Sequence, residues 1–111
     1  MIQIQAATSN VVLLTKENQI NKVLKEQKKE RSNIKILFTS LWDPWSDRLL
    51  DSIIELPYAE KAPQIYVVDS FNMPHSFVIF KIRNTPALVS IDRDKIAVET
   101  YLPFIYTELG C

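Results

Sequence analysis

The sequence predicts an α/β fold, a sandwich with helices packed on a sheet that is part parallel and part antiparallel. Two observations predict it. Short apolar, β-branched runs at residues 11–14, 34–41 and 65–68 alternate with stretches of helical spacing, and the last two strand-like segments flank a polar turn, Asp92-Arg93-Asp94.

Val11-Val12-Leu13-Leu14 has the composition of a buried strand, and Thr15 is placed to cap the polar segment behind it. Ile20, Val23, Leu24 and Gln27 recur at helical spacing with Lys and Glu opposite, which predicts an amphipathic first helix ending near Arg31-Ser32-Asn33. Residues 34–41 are apolar on both faces, so this strand belongs in mid-sheet. A second helix begins at Asp43-Pro44, with Asp as cap and Pro in the first helical position, or one turn later at Ser46. Trp45, Leu49, Ile53 and Leu56 mark its buried stripe, and Pro57 ends it. Ile65-Tyr66-Val67-Val68 forms a third strand ending at Asp69, and Pro74 opens a third helix over 73–81. Phe77-Val78-Ile79-Phe80 is more apolar surface than one helix face can bury against a sheet, so one of these residues is exposed or covered by another element. The segments 87–91 and 95–99 form a hairpin, and Pro103, Phe104, Ile105 and Leu109 outline a short last helix. Residues 1–111 are read as a single domain, with 1–10 an N-terminal extension or edge strand and 11–109 the core.

Composition narrows the functional classes. A chain of 111 residues with 47% hydrophobic and 23% charged residues suits an ordinary globular domain. Thirteen basic residues balance thirteen acidic ones, so no overall field recruits nucleic acid or an anionic membrane. The basic run around Lys22, Lys25, Lys28, Lys29 and Arg31 is read as cations complementing the first helix's C-terminus. There is no run of eighteen apolar residues and no secretory pattern at Met1-Ile2-Gln3-Ile4-Gln5. One cysteine, Cys111, and one histidine, His75, offer neither an internal disulfide nor an ordinary zinc site. A cytoplasmic or other reducing compartment is the expectation, with no metal and no cofactor.

Two motifs point to a family. Phe38-Thr39-Ser40-Leu41-Trp42-Asp43-Pro44-Trp45-Ser46 resembles the thioredoxin pattern in which a central strand leads into Trp-x-x-Trp-Cys-Gly-Pro-Cys. Ile82-Arg83-Asn84-Thr85-Pro86-Ala87-Leu88-Val89 resembles the thioredoxin segment whose proline is cis and faces the active site. Val68-Asp69 and Asn72-Met73-Pro74 also sit where that family has an acidic strand end and a helix-opening proline. The resemblance implies a thioredoxin-like three-layer α/β/α sandwich with a mixed central sheet and a cis proline at Pro86. It spans nearly the whole chain, from about residue 11 to 101.

Carried over position by position, the resemblance puts Ser46 at the first active-site cysteine, Asp47-Arg48 at the Gly-Pro pair and Leu49 at the second cysteine. The family's buried acid falls at Ser40. Disulfide exchange needs an attacking thiolate and a second thiol to release the mixed disulfide, so no catalytic residue is assigned. Ser46 is no substitute nucleophile, because His75 stands at the start of another helix; it is read as a helix cap or polar surface residue. Asp43 and Asp47 are read as solvated carboxylates complementing the helix dipole. Trp42 is assigned to the core and Trp45 is the better exposed candidate. In thioredoxins the surface beside the cis proline receives an extended stretch of substrate, as an added strand would. By resemblance, Trp45, Ser46, Thr85, Pro86 and Tyr101 border such a surface here. The resulting expectation is a redox-inactive module, a monomer or weak oligomer that binds a protein or extended peptide, with no nucleic acid or membrane partner. The alternatives are a relative with residual or substrate-assisted thiol or glutathione chemistry, and a structural subunit of a larger assembly.

Overall fold

We describe a computed structural model covering residues 10–57 and 63–111. Except for Asn10, the expected N-terminal extension or edge strand lies outside the described residues. The chain runs β1 (Val11–Leu13), α1 (Glu17–Glu30), β2 (Asn33–Thr39), α2 (Pro44–Ile54), β3 (Gln64–Asp69), α3 (Pro74–Ile79), β4 (Ala87–Asp92), β5 (Lys95–Glu99) and α4 (Leu102–Leu109). The strands form one five-stranded sheet in the order β1-β3-β2-β4-β5. β1 and β2 each run parallel to β3, and β4 is antiparallel to both β2 and β5. The sheet is therefore mixed, with β2 at its centre.

That position explains the composition of β2. Ile34, Ile36 and Phe38 face one side and join Leu14, Ile20, Val68, Met73, Val89 and Ile91 in a core against α1 and α3. Leu37 faces the other side, with Leu49, Ile53, Ile65, Val67, Leu88, Ile105 and Leu109 against α2 and α4. Two cores, one on each side of the sheet, make the α/β/α sandwich. Lys35, on the α4 side, keeps its ammonium satisfied by Ser90 Oγ at 3.2 Å and Glu108 Oε2 at 3.4 Å.

Local chemistry sets the helix limits, with some departures from expectation. Thr15 does not cap α1; instead Gln19 Oε1 accepts from the Thr15 and Lys16 N–H groups at 2.7 and 2.9 Å. Arg31 closes α1 in the left-handed region at φ 53°. Gln27 is buried and donates to the Ser32 and Arg93 carbonyls, both at 2.8 Å, tying α1 to the β4–β5 turn. α3 is shorter than the predicted span, and Lys81 leaves it at φ 57°. Of its apolar run, Phe77 and Phe80 pack edge-on against Phe38, with centroids 5.0 and 5.6 Å away, while Val78 and Ile79 are exposed. Two residues rather than one lack cover, because a 3.6-residue repeat carries consecutive side chains around the helix. Among the described residues no helix is long and apolar enough to cross a membrane.

Candidate binding face at the end of the sheet

The sheet register gathers four connections at one end. Phe38 pairs with Val68 and with Ala87, Thr39 with Asp69, and Leu88 with Glu99. The chain leaving β2, β3 and β5 and the chain entering β4 therefore share this end. It is the C-terminal end of the parallel strands, where ligands of open α/β sheets commonly bind.

α2 begins here. Asp43 is extended at φ −104° and ψ 110°, the geometry of an N-cap, and Pro44 follows where a missing N–H leaves nothing unpaired. Asp43 Oδ1 accepts from the Trp45 N–H at 3.0 Å. Its Oδ2 accepts from Ser46 Oγ at 3.0 Å and from Thr85 Oγ1 at 2.9 Å. The carboxylate thus joins the first turn of α2 to the loop before β4. Ser46 Oγ also accepts from the Ser40 N–H at 3.3 Å, and the Thr85–Pro86 peptide bond is cis. On β3, Asp69 Oδ1 accepts from the Phe71 and Asn72 N–H groups at 2.9 Å, fixing the neighbouring turn.

The structure places the sequence-predicted residues unequally. Trp45 and Tyr101 are exposed, Thr85 is half-buried and Pro86 is buried. Asp43 takes the N-cap position, so Ser46, inside α2, is not the cap, and at 0% exposure it does not reach the surface. It acts through its bonds to Asp43 and Ser40. Asp43 is half-buried and complements the start of α2 as its cap, and it is also the acceptor at the centre of the cluster. Leu49 is also 0% exposed, well inside α2, so the pair Ser46/Leu49 does not present a dithiol-like arrangement to solvent. The residues at the helix start with one member facing the loop before β4 are Asp43 and Ser46.

Trp42 departs from its core assignment, and Trp45, exposed as a site residue should be, departs from the buried stripe expected of α2. Trp42 is 85% exposed rather than core, because the turn after β2 carries it beyond the sheet. Trp45 is 51% exposed, and the stripe that α2 buries runs through Ser46, Leu49 and Ile53 instead. The Arg48 guanidinium carbon lies 5.1 Å from the centroid of the Trp45 ring, covering one face of it. Tyr101 meets Phe104 edge to face at 5.0 Å.

Three residues complete the rim without having been singled out as site residues. Leu41 and Phe71, in the connections after β2 and β3, and Phe104, in the first turn of α4 behind β5, are exposed at this same end. Their apolar character is visible in the sequence, but only the register brings them together. The Thr85 N–H and C=O enter no backbone hydrogen bond among the described residues. Thr85 thus keeps a main-chain donor and acceptor that no backbone group uses. Cys111 follows the C-terminal end of α4 and is exposed, and partial burial pushes its thiol above the usual range. Among the described residues no group of His, Cys, Asp and Glu side chains is arranged to hold a metal ion.

Similar architecture is found in solved thioredoxins. A thioredoxin from Nicotiana alata superimposes with a TM-score of 0.74 at 11% identity, covering 92% of this chain and 91% of that one. Reduced Schistosoma mansoni thioredoxin pre-protein gives 0.72 at 16% identity over 91% and 96%. Wild-type poplar thioredoxin h gives 0.71 at 17% over 91% and 94%. The chain has the thioredoxin fold. No protein-family model matches the sequence, and no curated protein matches it.

Proposed function

We propose that this chain is a redox-inactive protein-binding module that receives an extended polypeptide segment at the end of its sheet. One observation carries the reading: Leu41, Trp42, Trp45, Phe71, Tyr101 and Phe104 are all exposed around the loop of Thr85 and Pro86. Scattered apolar residues need no explanation, whereas an aromatic-rich rim at one end of a sheet has the composition of an interaction surface. The backbone groups of Thr85, used by no other backbone group, suit main-chain pairing, and the rim suits the side chains flanking it. Asp43 and Ser46 supply no thiol, and the one cysteine has a raised pKa that lowers its thiolate fraction at neutral pH.

The test has two arms. In a dithiothreitol-coupled insulin assay the purified protein should give no rate above the dithiothreitol background; turnover would remove the redox-inactive half of the proposal. Peptides selected from an unstructured random library by the wild-type protein should lose binding to Trp45→Ala/Thr85→Arg. Retention of every selected peptide by that double variant would overturn the assignment of the face.

A further inference from the structure

β5 is an edge of the sheet, with nothing paired to its outer side among the described residues. Its residues from Lys95 to Val98 are exposed on both faces, including Ile96 at 60% and Val98 at 50%. Exposed β-branched residues on an edge strand are a template for pairing, which folded proteins usually blunt or cover. Here the strand reads Lys95-Ile96-Ala97-Val98-Glu99, a sequence complementary to its own reverse.

We infer that β5 pairs antiparallel with β5 of a second copy of this chain, about a two-fold axis at Ala97. Asp92 pairs with Lys95 across a two-residue turn, with Arg93 at φ 59°. In such a hairpin the closing pair is hydrogen-bonded, so Lys95, Ala97 and Glu99 direct their backbone groups at β4. Ile96 and Val98 direct theirs outward. With the axis at Ala97, Ile96 meets the partner's Val98 in a hydrogen-bonded pair, and Val98 meets the partner's Ile96. Both outward-facing residues of the strand are then satisfied by the same operation.

The side chains obey the same symmetry. Ile96 stands opposite Ile91, which belongs to the core beneath α1 and α3, so Ile96 and Val98 lie on that face of the sheet. Beside Ile96 a groove of about 510 Å³ has apolar walls from Leu24, Ile79, Phe80 and Ile91 and a charged rim that includes Arg93 and Asp94. Pairing brings Ile96 and Val98 from both copies together there. On the opposite face, Lys95 falls opposite the partner's Glu99 and Glu99 opposite the partner's Lys95. Opposite charges directly across a strand pair stabilise it, and like charges oppose it. The interface is isologous and closed, so it ends at a dimer.

Sedimentation equilibrium of the full chain should show dimer mass rising with concentration. Lys95→Glu places like charges opposite each other and should return the protein to monomer mass, while Lys95→Glu/Glu99→Lys should restore the dimer. The register is tested in a Cys111→Ser background with oxidised glutathione. Two Ala97→Cys thiols are oxidised to one disulfide as glutathione disulfide is reduced to two glutathione thiols. Ala97→Cys should crosslink into a dimer and Val98→Cys much less, because only position 97 faces itself. Circular dichroism checks that each variant is folded. A wild type that stays monomeric at its solubility limit, a Lys95→Glu variant that dimerises unchanged, or crosslinking no better at 97 than at 98 would each overturn the inference.

Discussion

Asp43 concentrates the geometry of the binding face in one side chain. It accepts from the Trp45 N–H, Ser46 Oγ and Thr85 Oγ1, and Ser46 is fully buried. Asp43→Ala removes a helix cap and leaves a buried hydroxyl without this acceptor, so it should destabilise the fold by about 1–3 kcal/mol in urea titrations. A loss below a few tenths would mean the cluster is not formed in solution. The same contacts identify where thiols could act. In a Cys111→Ser background, Asp43→Cys/Ser46→Cys should close to a disulfide with oxidised glutathione, since positions three apart on a helix are neighbours and one lies at its N-terminus. Ser46→Cys/Leu49→Cys should react more slowly, because both wild-type side chains are buried. Faster closure of the second pair would restore the position-by-position carry-over from thioredoxins. That carry-over relied on Trp45 as a landmark, yet Asp-Pro is itself a legible helix start. The bond from Asp43 to Thr85, 42 residues away, is tertiary and could not be read from spacing.

At the scale of elements, α3 shows how a weak helix is held by another. Its six residues are too few for independent stability, and its first turn is satisfied from α1. Glu17 Oε2 accepts from the His75 N–H at 2.7 Å, and Oε1 from the Ser76 N–H at 3.3 Å and Ser76 Oγ at 2.6 Å. Glu17→Ala should therefore raise hydrogen exchange in α3 more than in α2 and lower global stability by about 1–3 kcal/mol. Equal exchange in both helices would show that Glu17 is not the tether. The order of strands and helices was legible because apolar runs and helical spacing alternate plainly along the chain. Pro74 also announced the start of α3. Its early end and the Glu17 tether were not legible, because both depend on how α1 and α3 pack over Phe38. Exposure on α2 was misread for a related reason: a stripe of large residues names several possible faces, and the sheet selects the one through Ser46, Leu49 and Ile53.

At the scale of the molecule, the binding face and the free edge are separate features of one sheet. Antiparallel pairing through β5 would continue that sheet into the second copy and point the two aromatic rims toward opposite ends, leaving each open to a polypeptide. The rim also contains both tryptophans of the chain, Trp42 at 85% and Trp45 at 51% exposure. Intrinsic fluorescence therefore reports this face without interference from the core. The free native protein should show solvent-exposed emission, readily quenched by acrylamide, with only a small further red shift in concentrated urea. A selected peptide should shift the emission to the blue and slow quenching, and Trp45→Ala should remove part of that response while Lys95→Glu leaves it intact. Protected, blue-shifted emission in the free protein would mean that the tryptophans are already covered. An unchanged spectrum on saturating a peptide measured to bind would place its site elsewhere on the molecule.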